Sequence, residues 1–200
     1  MHIHSQLIAV AGDISVALAE AIAHNGPIEL TPTQEIPFAQ RLCRAVAGQQ
    51  LSVKAAGSIW ARVLASVPAN QSLMDYFRTV DPAVLKGCGL SGAKVKSMGV
   101  IAHAAIAGKL NTTELEQLTH TERTKCLTTL WGVGQWTADM MGLFYFGDAD
   151  IWPEGDVCAR KMLERLTSKR RKTIRTAARF APYRSYLALH MWQYADAKPD

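Results

Sequence analysis

The stretch Leu130-Trp131-Gly132-Val133-Gly134-Gln135-Trp136-Thr137-Ala138 reads as a tight turn between two helices, and Pro153-Glu154-Gly155-Asp156 follows it further along the chain. Its glycines let backbone N–H groups approach an anion without side-chain obstruction. The helix that begins near Gln135 turns its positive end toward the same place. A phosphate grip followed by a lone carboxylate points to an enzyme that acts on nucleic acid.

Outward from that turn, apolar residues recur at helical spacing, most clearly at Ala56, Ile59, Trp60, Val63, Leu64 and Val67, and again at Tyr183, Leu187, Met191 and Tyr194. Period-two alternation is scarce, so the chain reads as all-α. Start signals agree: Asp81-Pro82 places a cap before a first-turn proline, and Thr113 with Glu116 and Thr119 with Glu122 have capping-box spacing. The sequence predicts helices at roughly 13–24, 34–46, 52–66, 71–79, 92–108, 113–118, 121–130, 135–146, 156–166 and 182–194. It shows neither a periodic repeat nor a low-complexity linker.

With 200 residues, 48% apolar and 20% charged, the chain has enough to bury a full core, as one domain or two small lobes. A net charge of +5 favours a polyanionic partner, though only mildly. The basic run Lys169-Arg170-Arg171-Lys172, with Lys161, Arg165, Arg175, Arg179 and Arg184 around it, suits a plain solvated face when taken alone. Its place after the turn and the carboxylate equally suits phosphate neutralisation. Cys43, Cys88, Cys126 and Cys158 form no Cys-x-x-Cys pair, which leaves zinc ribbons and clustered iron–sulfur sites unsupported and fits reduced core thiols. The start of the chain has no signal-peptide pattern, and no apolar run reaches membrane-spanning length. A cytoplasmic protein, nucleoid-associated in a bacterium, is expected. His2 and His4 read as a mobile terminus, His190 as a structural polar contact.

The glycine turn and its surroundings resemble the helix–hairpin–helix glycosylase superfamily of base-excision repair. The family pattern Leu-x-Gly-Val-Gly-x-x-Thr-Ala, then a Gly/Pro-rich loop and an aspartate, is met by Leu130 to Ala138 and Trp152 to Asp156. Ala47 to Ala56, Gly87 to Ser91 with Lys94, and Pro182 to Trp192 are similar to the 3-methyladenine DNA glycosylase II branch, so the likeness spans about residues 35–195. It implies a two-lobed helical fold in compact form with the helix–hairpin–helix at 121–146. The expected division is 35–110 as one lobe and 111–170 as the hairpin and catalytic lobe, with 1–34 and 171–200 packing across both.

The same resemblance implies the chemistry. Asp156 matches the catalytic aspartate, a role compatible with its plainer use as a helix N-cap, since the helix end favours negative charge there; Glu154 is the nearest competitor. Trp136 and Trp192 match aromatic pocket positions where a flipped, cationic base stacks, although core filling is the plainer use of a tryptophan. Met140 replaces a further pocket aromatic, with Tyr145, Trp152 and Phe144 as compensating rings, core packing being the simpler use of Phe144. Gln49, Gln50, Leu51 and Ser52 match the loop that enters the minor groove, with Gln50 or Leu51 as plug, or a helix start capped by Ser52 with the glutamines in solvent.

Gly132, Val133, Gly134, Gln135 and Thr137 of the hairpin, with Lys169, Arg170, Arg171 and Arg184, are the remaining expected DNA contacts. The carbonyls of Thr128, Leu130 and Val133 correspond to the family's monovalent-cation ligands; no other cofactor and no iron–sulfur cluster is implied. Trp136 stands where strand-nicking relatives carry a lysine nucleophile, which implies a monofunctional, monomeric enzyme acting on double-stranded DNA with alkylated bases and leaving an abasic site. A non-catalytic helix–hairpin–helix DNA-binding module, or a glycosylase of other base specificity, is the alternative.

Overall fold

Short polar side chains set most of the helix starts. In the computed structural model, which describes residues 2–197, Ser52, Ser72, Asp81 and Ser91 each accept a backbone N–H from the first turn of the helix they precede. Thr119 and Glu122 form a full capping box, the Thr119 amide donating to Glu122 Oε2 at 2.8 Å. The box expected at Thr113 and Glu116 does not form. Asn111 caps that helix instead, its Oδ1 accepting from Thr113 N at 3.0 Å, because the helix starts at Thr112 and leaves Thr113 inside the first turn.

The described residues form thirteen α-helices and no strand, so the all-α class is as the sequence predicts. These are α1 (His2–Gly12), α2 (Val16–Asn25), α3 (Phe38–Gly48), α4 (Val53–Ala65), α5 (Leu73–Thr79), α6 (Pro82–Gly87) and α7 (Gly92–Ile106). After them come α8 (Thr112–Glu116), α9 (His120–Leu127), α10 (Gln135–Met141), α11 (Val157–Leu166), α12 (Thr173–Ala178) and α13 (Arg184–Asp196). The helix expected over 135–146 is α-helical only to Met141 and continues as a π-helical turn over Gly142–Phe146. None of these helices is long and apolar enough to cross a membrane.

The chain divides into two compact units, Met1–Pro32 with Gly142–Asp200, and Thr33–Met141. The sequence predicts limits at 34/35, 110/111 and 170/171. In the structure α10 packs on α3 as well as on α9, holding the hairpin in the second unit, while α11 and α13 pack on α2 in the first. The first unit buries Leu18 and Ile22 of α2 with Leu163 of α11 and Leu187 and Met191 of α13, each such side chain contributing about 1.5–3 kcal/mol. In the second, Phe38, Leu42 and Val46 recur at four-residue spacing on α3, the side that meets α7 and its buried Met98 and Ile101.

Three helices lie outside the predicted set. α1 buries Leu7 and Ala11 against α2, so the expected mobile terminus is ordered. Its His4 ring stands 5.6 Å from that of His190, whose Nδ1 and backbone carbonyl lie 3.3 and 2.9 Å from Asn25 Nδ2. Burial, with His4 nearby, lowers the His190 pKa to about 4. α6 and α12 are too short to show a periodicity. Of the four thiols, Cys43 and Cys88 are core residues, whereas Cys126 and Cys158 are exposed rather than buried as expected.

Candidate active site

Asp156 is the N-cap of α11. Its Oδ1 accepts the amide of Ala159 at 2.8 Å and the indole Nε1 of Trp192 at 3.0 Å, so one bond comes from the helix it starts and the other from α13. Two donors converging on one oxygen fix the orientation of the carboxylate before any substrate arrives. The half-buried Trp192 ring lies 5.7 Å from that of Phe144, tilted by 33°. A carboxylate and two aromatic rings thus come together within one unit.

The loop before Asp156 is held from beneath. Trp152 is buried in the core, and its Nε1 donates to Glu154 Oε2 at 2.6 Å. The buried Thr173 hydroxyl donates to the same carboxylate at 2.7 and 2.9 Å. Glu154, the competing carboxylate, is therefore engaged in tying 152–156 to the start of α12. Backbone bonds from Glu154 N to Trp152 O and from Asp156 N to Pro153 O close the turn at 2.9 and 2.8 Å.

In the Thr33–Met141 unit the hairpin is seated on α7. Gly132 has φ +84°, and a Cβ there would collide with Ser97 Oγ, so the turn takes glycine on two counts. Val133 N donates to Leu130 O at 3.0 Å and Val133 is buried, which pins the turn from inside. Trp131 is 45% exposed with the Lys96 ammonium 4.3 Å from its ring centroid.

The Gly48–Ser52 loop is tied to that hairpin. Gln49 Nε2 donates to Gly132 O at 3.1 Å and to Thr137 Oγ1 at 2.9 Å. Lys94 Nζ donates to the carbonyls of Ala47 and Gln49 at 2.9 and 2.8 Å, and burial there lowers its pKa. Between these anchors Gln50 is exposed at φ 58°, in the left-handed region, and Leu51 and Val53 follow it at 40% and 92% exposure. An apolar tip beside a polar one projects from a braced base.

Several expected contacts have structural partners instead. Gln49 and the buried Thr137 hold each other, and Ser52 caps α4. Gln135 Nε2 donates to Asp139 Oδ1 at 2.7 Å, and Asp139, buried, also stands 3.0 Å from His120 Nε2. Arg184 pairs in a fork with Asp150, at 2.6 and 2.9 Å, so its charge is neutralised at the start of α13. The guanidinium holds the Asp150 carboxyl below the ordinary range. Tyr145 is buried with its ring edge-on to Phe146 at 5.1 Å.

Trp136 and Met140 are half-buried on α10, and Gly134 is exposed at its start. Lys169, Arg170 and Arg171 are exposed between α11 and α12. Asp139, Asp150 and Thr173 are not singled out by the sequence, because their partners are matched by the fold rather than by spacing. Among the described residues, no group of three His, Cys, Asp or Glu side chains is arranged to hold a metal ion.

No family model matches the chain. DNA-3-methyladenine glycosylase 1 of Schizosaccharomyces pombe is 33% identical to it over 162 residues, which make up 77% of this chain and 71% of that protein. The solved structure of a 3-methyladenine DNA glycosylase from the same organism, in complex with abasic DNA, superposes with a TM-score of 0.79 at 27% identity, covering 94% of this chain and 95% of that one. A DNA-3-methyladenine glycosidase from Bacillus halodurans superposes with a TM-score of 0.77 at 30% identity, covering 96% and 88%.

Proposed function

Since the chain belongs to the DNA-3-methyladenine glycosylase family, we propose that it is a monofunctional DNA glycosylase of base-excision repair, acting as a monomer on alkylated purines such as 3-methyladenine and 7-methylguanine. The observation that carries this reading is the Asp156 carboxylate held by Ala159 N and Trp192 Nε1 beside an aromatic face. Cleavage of an N-glycosidic bond passes through an oxocarbenium-like state, and a fixed anion near C1′ offsets the positive charge that develops there. The bond's electron pair leaves with the base, which alkylation has already made cationic. Water supplies the new C1′–O bond, and Asp156 orients it and takes up its proton.

Trp192, beside Phe144, stacks on the extruded base. Trp136 has no amine for a Schiff base, so the strand is left intact at an abasic site. Gly132 to Gly134 offer main-chain amides to a phosphate of the duplex, and the exposed Lys169, Arg170 and Arg171 add charge. The carbonyls of Thr128, Leu130 and Val133 are hard oxygen donors suited to a monovalent cation at the hairpin. Gln50, whose left-handed backbone lifts it at the loop tip, fills the gap in the stack, with Leu51 against the neighbouring base.

The Asp156→Asn variant tests the reading. Excision of 7-methylguanine from methylated duplex is expected to fall by about 10²–10³-fold while duplex binding survives. Undiminished excision would remove Asp156 from the mechanism; a wild-type protein that binds duplex without releasing any base would establish a binding module instead.

A further inference from the structure

Arg170 and Arg171, assigned above to the charge of the duplex-binding face, open into a groove at the exit of α11 whose other cations that reading leaves unused. α11 carries the chain about 15 Å away from Asp156. There the Ser15 hydroxyl donates to Leu166 O at 2.7 Å, bringing the entry of α2 against the exit of α11. Beside this contact lies a groove of about 430 Å³ with Ile14 in its wall and Arg170, Arg171, Lys172, Arg175 and Arg179 around it. Five cations therefore share one concavity.

A solvated basic face spreads its charges apart. Here Arg175 and Arg179 stand one helical turn apart, the spacing at which like charges repel, and the buried Thr176 between them keeps that turn of the backbone packed. An anion seated between them relieves that repulsion. Asp13 approaches Arg179 at 3.7 Å, but its side chain is 75% exposed and well hydrated, so it competes weakly. Four of the five cations are arginines, whose planar fork matches two oxygens of a phosphate at once.

We propose that this groove is a second phosphate site, which takes the phosphodiester backbone of the duplex away from the excised base. The choice of DNA rests on the proposed function; the anion chemistry rests on the groove alone. Lys172 is joined directly to Thr173, whose hydroxyl holds Glu154 in the turn before Asp156, so backbone seated in the groove lies on a segment continuous with the catalytic loop.

The test is the salt dependence of binding to an undamaged duplex, which needs no excision. Replacing both arginines by glutamine (Arg175→Gln with Arg179→Gln) is expected to lower the log–log slope by about 1.8, at roughly 0.9 per phosphate. The charge-keeping pair Arg175→Lys with Arg179→Lys restores the slope and separates lost charge from lost folding. An unaltered slope overturns the proposal. So does a glutamine pair that loses binding of pyrophosphate alone while its duplex slope stays that of the wild type, since the site would then serve a free anion. Because the duplex carries no lesion, failure here leaves the Asp156→Asn experiment standing, and failure there leaves the slope interpretable.

Discussion

Asp156 is fixed by direct bonds to its own carboxylate, one from an amide three residues ahead and one from an indole thirty-six residues on, whereas Gln50 stands on a tip whose neighbours are tied down in its place. The unit that holds Asp156 orients a side chain. The hairpin unit orients a backbone, and its side chains Gln49, Thr137, Gln135 and Lys94 are occupied in doing so. A residue within a nucleic-acid-binding motif is therefore often a brace for the group that makes the contact. Charge that must act on a reacting atom has to be aimed, while main-chain amides need only a rigid turn.

Three substitutions probe that contrast, and the largest effect is expected at the hairpin. Gly132→Ala adds a Cβ that meets Ser97 and places an L side chain at positive φ, a combined cost of about 3 kcal/mol in urea unfolding, with duplex binding lost alongside. A companion Ser97→Gly should recover the steric share and leave the backbone share. A Gly132→Ala protein as stable as the wild type would show that the hairpin does not sit on α7.

Trp192→Phe keeps a ring and removes the indole N–H. One charge-assisted bond of about 1.4 kcal/mol then goes missing, so single-turnover excision should slow about tenfold while duplex affinity holds. Equal losses in both would mean that the indole supports folding rather than the orientation of Asp156. The smallest effect is expected for Gln49→Ala, where two partly exposed bonds worth about 1 kcal/mol disappear. That change should raise KM and leave kcat, because it loosens the loop without touching the carboxylate. A fall in kcat alone would place Gln49 in the chemistry and undo the contrast.

Much of this architecture was legible in the sequence where the signal is local. Ser52, Asp81 and Thr119 mark helix starts because a cap works within one turn, and α4 and α13 show their apolar spacing over enough residues to be seen. The family pattern located Asp156 and Trp192, and the structure joins them by a hydrogen bond that no spacing rule announces. α12, and α6 beyond its Asp81-Pro82 start, are too short to show an apolar spacing. α1 went unseen because one of the two residues it buries is an alanine, which leaves a faint stripe. No spacing in the sequence announces the fork between Arg184 and Asp150, thirty-four residues earlier in the chain, or the place of Trp152 in the core. Long-range partners of this kind are chosen by packing, which a one-dimensional reading does not contain.

The two units also differ in how they use the chain. The hairpin unit is one unbroken segment, Thr33–Met141, whereas the core of the other joins Leu18 and Ile22 to Leu187 and Met191 near the opposite end of the sequence. On a ribosome, where domains form in order of emergence, the first can finish while the second still waits for its closing helix. Trp192 lies on that helix, so the Asp156 carboxylate gains its indole partner only once α13 has emerged, after the Thr33–Met141 unit can already be complete.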